Sequence, residues 1–220
     1  MRLLADGGDY RGTGRLQFPE GSFGNGGAMR IAPVGLAYRH ADANELAEAV
    51  EDALLCTHIH PEAIDGALVQ AKAVAIAATT EPGSLDPASV IQMLSVACRT
   101  ETMQAKLAAL ADGLRNAKED VFVIGRVGNG IRASQAVAAA LWAFLRYGKN
   151  PEECIIRAVG FGGDTDTIGA MAGALMGELH GSSWIPARWY DNIENGVHGR
   201  DEIVILARQL AGFDIRLQAD

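Results

Sequence analysis

Gly162-Gly163-Asp164-Thr165-Asp166-Thr167 runs directly into Ile168-Gly169-Ala170-Met171-Ala172-Gly173-Ala174-Leu175-Met176-Gly177-Glu178-Leu179-His180-Gly181. Glycine recurs every fourth residue, at 169, 173, 177 and 181, and residues four apart share one face of a helix. That face is bare over three turns, so another backbone can approach it. Glycine inside a helix costs roughly 1 kcal/mol against alanine per position, so the spacing predicts tight helix-on-helix packing. Asp164 and Asp166 need a different reason, because packing does not ask for two anions side by side.

Three readings compete for that pair. An acidic residue at a helix N-terminus caps orphan N–H groups and meets the macrodipole, which accounts for one aspartate and not for two. A phosphotransfer motif of the Asp-x-Asp-x-Thr/Val kind needs Thr or Val four residues after the first Asp, where this chain has Ile168, and a hydrophobic strand before it, where it has Gly160-Phe161-Gly162-Gly163. Two carboxylates and a Thr hydroxyl are hard oxygen ligands for Mg²⁺ or Ca²⁺. Metal ligation ranks first, capping second and phosphotransfer third.

Working outward, the other 200 or so residues bound the answer. The chain has 220 residues, room for one domain with a real core. Apolar residues make up 49% and aromatics only 6%, with alanine and glycine abundant, which favours closely packed helices over a β-sandwich. A net charge of −8 argues against a nucleic-acid-binding surface. Cys56, Cys98 and Cys154 are odd in number and far apart, so they read as thiols of a reducing, cytoplasmic compartment. There is no signal-peptide h-region and no uncharged apolar run long enough to span a membrane.

Local signals predict an all-α, single-domain chain. Residues 1–21 are a glycine-rich lead-in, 22–213 the helical domain and 214–220 a tail. Ala28 to Tyr38 reads as helical, bent or ended by Pro33. Asp42 and Glu45 form a capping box for a helix to Cys56. Pro61 opens a helix to about Thr79, and Asp86-Pro87 one to about Cys98. A further helix spans about Glu101 to Ala117. Val121-Phe122-Val123-Ile124 is the one strand-like run. Ser134 to Tyr147 is an alanine-rich helix closed by Gly148 as its C′ residue. Asn150-Pro151 starts the next, and Arg200 to Ala211 is a last amphipathic helix.

Two more glycine motifs stand out. Ser22-Phe23-Gly24-Asn25-Gly26-Gly27-Ala28-Met29-Arg30 precedes an apolar run, and such a loop can cradle an anion on backbone N–H groups; a plain turn is the commoner meaning of Gly-Asn-Gly. The second is Gly128-Asn129-Gly130-Ile131. Together with Gly162–Thr167, in this order and spacing, they resemble the ADP-ribosylglycohydrolase family, and most closely its serine-ADP-ribose and poly(ADP-ribose) hydrolase branch. The resemblance covers about residues 20 to 213.

It implies an all-α fold with a binuclear Mg²⁺ site. It implies that Asp164, Asp166 and Thr167 are metal ligands, with no catalytic residue assigned. It implies that Ser22, Phe23, Gly24, Asn25 and Gly26 hold the ligand, the loop taking the diphosphate of ADP-ribose through N–H groups and the Ser22 hydroxyl, with Phe23 against the adenine. His58 would contact the ligand, although a histidine meeting a helix C-terminal dipole is nearly as good a reading. Gly130 and Ile131 would line the adenosine end. Asn129 and Arg30 are given to structure, as a turn and an ion pair. The expected partner is ADP-ribose or an ADP-ribosylated protein.

The chain departs from the family in one respect. The opposite wall of the family's metal site is a Thr-Asp-Asp stretch plus a Glu before the Ser-Phe-Gly-Asn-Gly loop, and this chain has no Asp-Asp pair. It therefore reads as the C-terminal part of the family domain, N-terminally truncated, with half the metal ligands. Two functions follow as expectations: a Mg-dependent hydrolase removing ADP-ribose, or a non-catalytic ADP-ribose-binding module. Helix faces left uncovered would favour a homodimer.

Overall fold

A computed structural model describes residue 7 and residues 9–213. Residues 1–6 and 8 of the expected lead-in and the expected tail, 214–220, lie outside the described residues. Among the described residues twelve α-helices follow one another: α1 Tyr10–Thr13, α2 Ala32–Ala37, α3 Ala43–Leu54, α4 Pro61–Ala78, α5 Pro87–Ala97, α6 Glu101–Arg115, α7 Asp120–Val127, α8 Ala133–Tyr147, α9 Pro151–Gly160, α10 Thr165–His180, α11 Ala187–Tyr190 and α12 Arg200–Ala211. Short 3₁₀ turns sit at Ala28–Arg30 and Pro82–Ser84.

Two helices are buried nearly all round, as expected of helices without a polar face. α4 buries 14 residues, from Glu62 to Ala77, and α8 buries 12, from Ala133 to Leu145. They pack on each other, and α10 packs on both. Around this centre lie α2, α3, α5, α6 and α9. Trp142, Phe144, Leu141, Ile168, Met171 and Leu175 are among its fully buried side chains. Buried Asp65 on α4 accepts from Arg99 N, Thr100 N (both 2.8 Å) and Thr100 Oγ1, which ties the turn before α6 to the core. Both oxygens of that carboxylate are used, the usual condition for burying one.

The caps set the helix boundaries. Asp42 and Glu45 form the expected capping box, while Asp86 and Asn150 accept from Ser89 N and Glu153 N, each just before a proline at the first turn. Pro33 lies in the first turn of α2, so the Ala28–Tyr38 run breaks at Ile31 into a 3₁₀ turn and a helix.

Four expectations are corrected. Val121–Ile124 is not a strand but part of α7, which buries Val123, Ile124 and Val127 against α6 and α8; helical spacing of that face outweighs β-branched propensity. Gly148 has φ −56°, in the right-handed region, so it is not a left-handed C′ residue. Arg30 bonds the Gly26 carbonyl and the Thr57 hydroxyl instead of an acidic side chain. Finally, among the described residues the bare face of α10 is covered only in part, by side chains of α9 at Gly169 and Gly173 and by nothing at Gly177. A Cβ on Gly169 would meet only the Val159 side chain at 3.0 Å, one on Gly173 only the tip of Ile155 at 3.8 Å, and one on Gly177 nothing within 4 Å. Gly181 ends the helix at φ +73°.

Candidate active site

The three glycine motifs, far apart in the chain, meet at one junction. Each leads into a helical segment: the first into the 3₁₀ turn and α2, the second into α8, the third into α10. Backbone hydrogen bonds join them. Gly24 and Arg132 form an isolated antiparallel bridge, with Asn25 N donating to Ile131 O (2.9 Å) and Ala133 N to Phe23 O (3.0 Å). Asp164 N donates to Asn129 O at 2.8 Å, and the Asn129 side chain donates to Phe161 O at 2.8 Å. Asn129 thus serves structure, as expected, and specifically as the clamp of the Gly162–Asp164 turn.

Glycine is required in that turn. Gly162 and Gly163 have φ +75° and +69°, and a Cβ on Gly163 would strike the Asn129 carbonyl. The turn brings Asp164 to the N-cap position of α10, but its side chain makes no capping hydrogen bond. Instead Asn25, itself buried, donates to Asp164 Oδ2 at 2.5 Å across 139 residues. That bond decides against capping as the purpose of Asp164. The segment before the turn is α9, not a strand, which removes the phosphotransfer pattern.

Asp166 Oδ1 accepts from Thr167 N (2.9 Å). The Thr167 amide and then Asp164 hold the Asp166 carboxyl below its usual range. Thr167 is buried, its hydroxyl facing Met29 Sδ at 3.9 Å. The three expected ligands lie side by side at the start of α10, and two carboxylates with a hydroxyl are the oxygen types that Mg²⁺ takes. No further His, Cys, Asp or Glu among the described residues joins them to make a cluster of three.

The loop itself is partly committed. Gly24 N donates to Ser22 Oγ (3.2 Å) and Asn25 N to Ile131, while Gly26 N and Gly27 N find no acceptor among the described residues. Those two amides, of half-buried Gly26 and buried Gly27, stand beside the first turn of a helical segment, where N–H groups can meet an anion. The His58 ring packs beneath them: a Cβ on Gly26 would lie 2.9 Å from its Cε1. Burial and the nearby Arg30 charge lower the His58 pKa, keeping it neutral, and its Nδ1 is buried without a partner among the described residues. His58 N donates to Leu54 O at the end of α3, while its ring lies against Gly26 of the loop. Gly130 N donates to Gln135 Oε1 (3.2 Å), and Ile131 projects to solvent, 66% exposed.

Sequence reading missed a second group at the junction. Arg132 Nε donates to Glu62 Oε1 (3.0 Å), Arg132 Nη2 to Glu62 Oε2, and Ser134 Oγ to Glu62 Oε1 (2.6 Å). Burial works to raise the Glu62 pKa, but the hydrogen bonds of Arg132 and Ser134 outweigh it and hold the carboxyl below its usual range. The Arg132 guanidinium lies 4.4 Å over the Phe23 ring, and His60 meets that ring edge-on at 6.1 Å. Glu62 was hidden as an ordinary first-turn acid after Pro61. A cleft of about 740 Å³ opens between α7 and α9, lined by Asp120, Val121, Asn129, Ile156, Arg157 and Phe161.

Several known proteins are similar to this chain. The chain is 31% identical over 225 residues to ADP-ribosylhydrolase ARH3 of Homo sapiens, which covers 89% of this chain and 60% of that protein. It is 34% identical over 197 residues to an uncharacterized protein of Archaeoglobus fulgidus, covering 87% of this chain and 59% of the other. A solved structure of an ADP-ribosylglycohydrolase-related protein complex superposes with a TM-score of 0.72 at 28% identity, over 97% of this chain and 66% of that one. The chain spans about three fifths of the length of these curated relatives. No described helix is long and apolar enough to cross a membrane. The ADP-ribosylglycohydrolase family profile matches residues 2–218, and with the three motifs folded into one junction the chain belongs to the ADP-ribosylglycohydrolase family.

Proposed function

We propose that this chain carries the ADP-ribose-binding wall and one metal-binding wall of a Mg²⁺-dependent hydrolase that removes ADP-ribose from modified proteins, serine-linked or as poly(ADP-ribose). The observation that carries the reading is the Asn25–Asp164 hydrogen bond, which ties the anion loop to the carboxylate pair. The names of the ARH3 relatives support the reaction class.

Asp164, Asp166 and Thr167 would hold the metal, which when bound orients ribose hydroxyls and activates water. The chain's own residues do the rest. Gly26 and Gly27 amides and the Ser22 hydroxyl bind the diphosphate. Phe23 takes the adenine, with Gly130 and Ile131 at the adenosine end. Neutral His58 supports the loop without adding charge. Asn25 orients Asp164, so that the glycosidic carbon, which becomes oxocarbenium-like as its bond breaks, faces a fixed carboxylate.

One observation favours a second reading, a binding module without turnover: two carboxylates do not make a cluster of three. Hydrolysis of a serine-ADP-ribosylated peptide with added Mg²⁺ separates the two. Turnover that disappears in Asp164→Ala, in Asp166→Ala and on chelation supports the hydrolase. Calorimetric ADP-ribose binding without turnover supports the module, and absence of both ends each. Exposed Ile203, Ile205 and Leu206 on α12 support the expected homodimer; a monomeric mass by light scattering at assay concentration would end that part.

A further inference from the structure

Phe23 is the exposed aromatic ring of the junction, 41% accessible in a loop of glycines that by itself cannot hold a ring still. Three contacts hold it. Its carbonyl is fixed by Ala133 N, its neighbour Gly24 is bridged to Arg132, and the Arg132 guanidinium lies over the ring at 4.4 Å. Arg132 in turn is not a free cation. Its Nε and Nη2 both engage Glu62, which is 5% exposed and also holds the Ser134 hydroxyl. The fork geometry fixes the guanidinium plane, and a planar, delocalised cation stacks on an aromatic face in a way an ammonium does not. With its charge matched by Glu62, Arg132 contributes a flat surface here more than a phosphate contact.

We propose that Arg132, locked by Glu62, is a positioning residue that fixes the Phe23 ring as the platform on which the nucleobase of the ligand stacks. This rests on the reading of the junction as an ADP-ribose site. Base-on-aromatic stacking is sequence-tolerant but needs an ordered ring, because ordering a mobile side chain at the moment of binding opposes affinity. The chain Ser134–Glu62–Arg132–Phe23 performs that ordering before the ligand arrives.

The test is a double-mutant cycle on the full chain with Mg²⁺ present, reading ADP-ribose affinity by calorimetry and folding by thermal melting. Phe23→Ala should weaken ADP-ribose by about tenfold, the low end of what one stacked base contributes. Arg132→Ala should weaken it by about three- to tenfold, and the double variant should be no weaker than Phe23→Ala alone. Arg132→Lys, which keeps a cation for Glu62, should lose affinity as well, and it serves if the alanine variant does not fold. Additive losses, or wild-type affinity in both Arg132 variants, overturn the inference while leaving the ADP-ribose site intact. A wild-type chain that binds no ADP-ribose overturns the reading of the site itself, and the inference with it.

Discussion

Glycine is concentrated in two places, and it does opposite things in them. At the junction, Gly163 sits at positive φ with no room for a Cβ against Asn129, and Gly26 closes down on the His58 ring. On α10, Gly169, Gly173 and Gly177 form the more regular pattern, yet what faces them is one valine side chain, one isoleucine tip and open space. Regular spacing says which residues share a face; it does not say that anything covers the face. At the junction the glycines are spent on letting three backbone segments approach and on aiming Asp164. On the helix they lower intrinsic stability by roughly 0.5–1 kcal/mol each, and among the described residues Gly177 gains no contact in return.

The contrast can be broken by single substitutions. Gly163→Ala should have the largest effect. A left-handed residue with a side chain costs roughly 1–2 kcal/mol and overpacking a further 1–3, so chemical denaturation should show a loss of about 2–5 kcal/mol. A loss below about 1 kcal/mol would mean that the turn is free to move, and the aim of Asp164 with it.

The second effect is one of pH and concerns the packing of His58 under Gly26. Its pKa is lowered from 6.5 in the folded chain by burial and by Arg30, so near that value the unfolded chain binds more protons. Stability from this source is present above pH 6.5 and falls as pH drops toward the folded pKa. Half-exposure keeps the effect modest. Melting temperatures of the wild type and His58→Gln between pH 7.5 and 5.5 should diverge, the variant showing the shallower decline; parallel curves would remove His58 from the junction's energetics.

The smallest effect tests the other side of the comparison. Gly177→Ala, with nothing within 4 Å of the new Cβ, should stabilise by about 0.5–1 kcal/mol. A destabilised Gly177→Ala would show that something does pack on α10 in solution and restore the reading of the bare face as a contact surface.

The legible and illegible parts of the sequence divide along the same line. Asp42–Glu45, Asp86-Pro87 and Asn150-Pro151 announce helix starts because a cap is chemistry within four residues, and the structure uses all three. The strand-like Val121–Ile124 misleads because β-branched composition is a weaker signal than which face meets α6 and α8. The carboxylate pair could be found locally, but its link to Asn25 and the link from Glu62 to Arg132 could not. These bonds cross 139 and 70 residues, and nothing in the intervening sequence marks their ends as partners. The resemblance supplied the three motifs; the fold supplied what they touch.

The long span of the Asn25–Asp164 bond also bears on how the protein can be divided. The loop, the Asn129 clamp and the carboxylate turn enter at the start, middle and end of residues 22–167, and each is held by groups from another. No autonomous fragment shorter than that stretch contains the site. Binding therefore reports on the integrity of the whole helical centre: a ligand held at this junction is felt by α2, α8 and α10 together, and by mass action it must stabilise them as one cooperative unit.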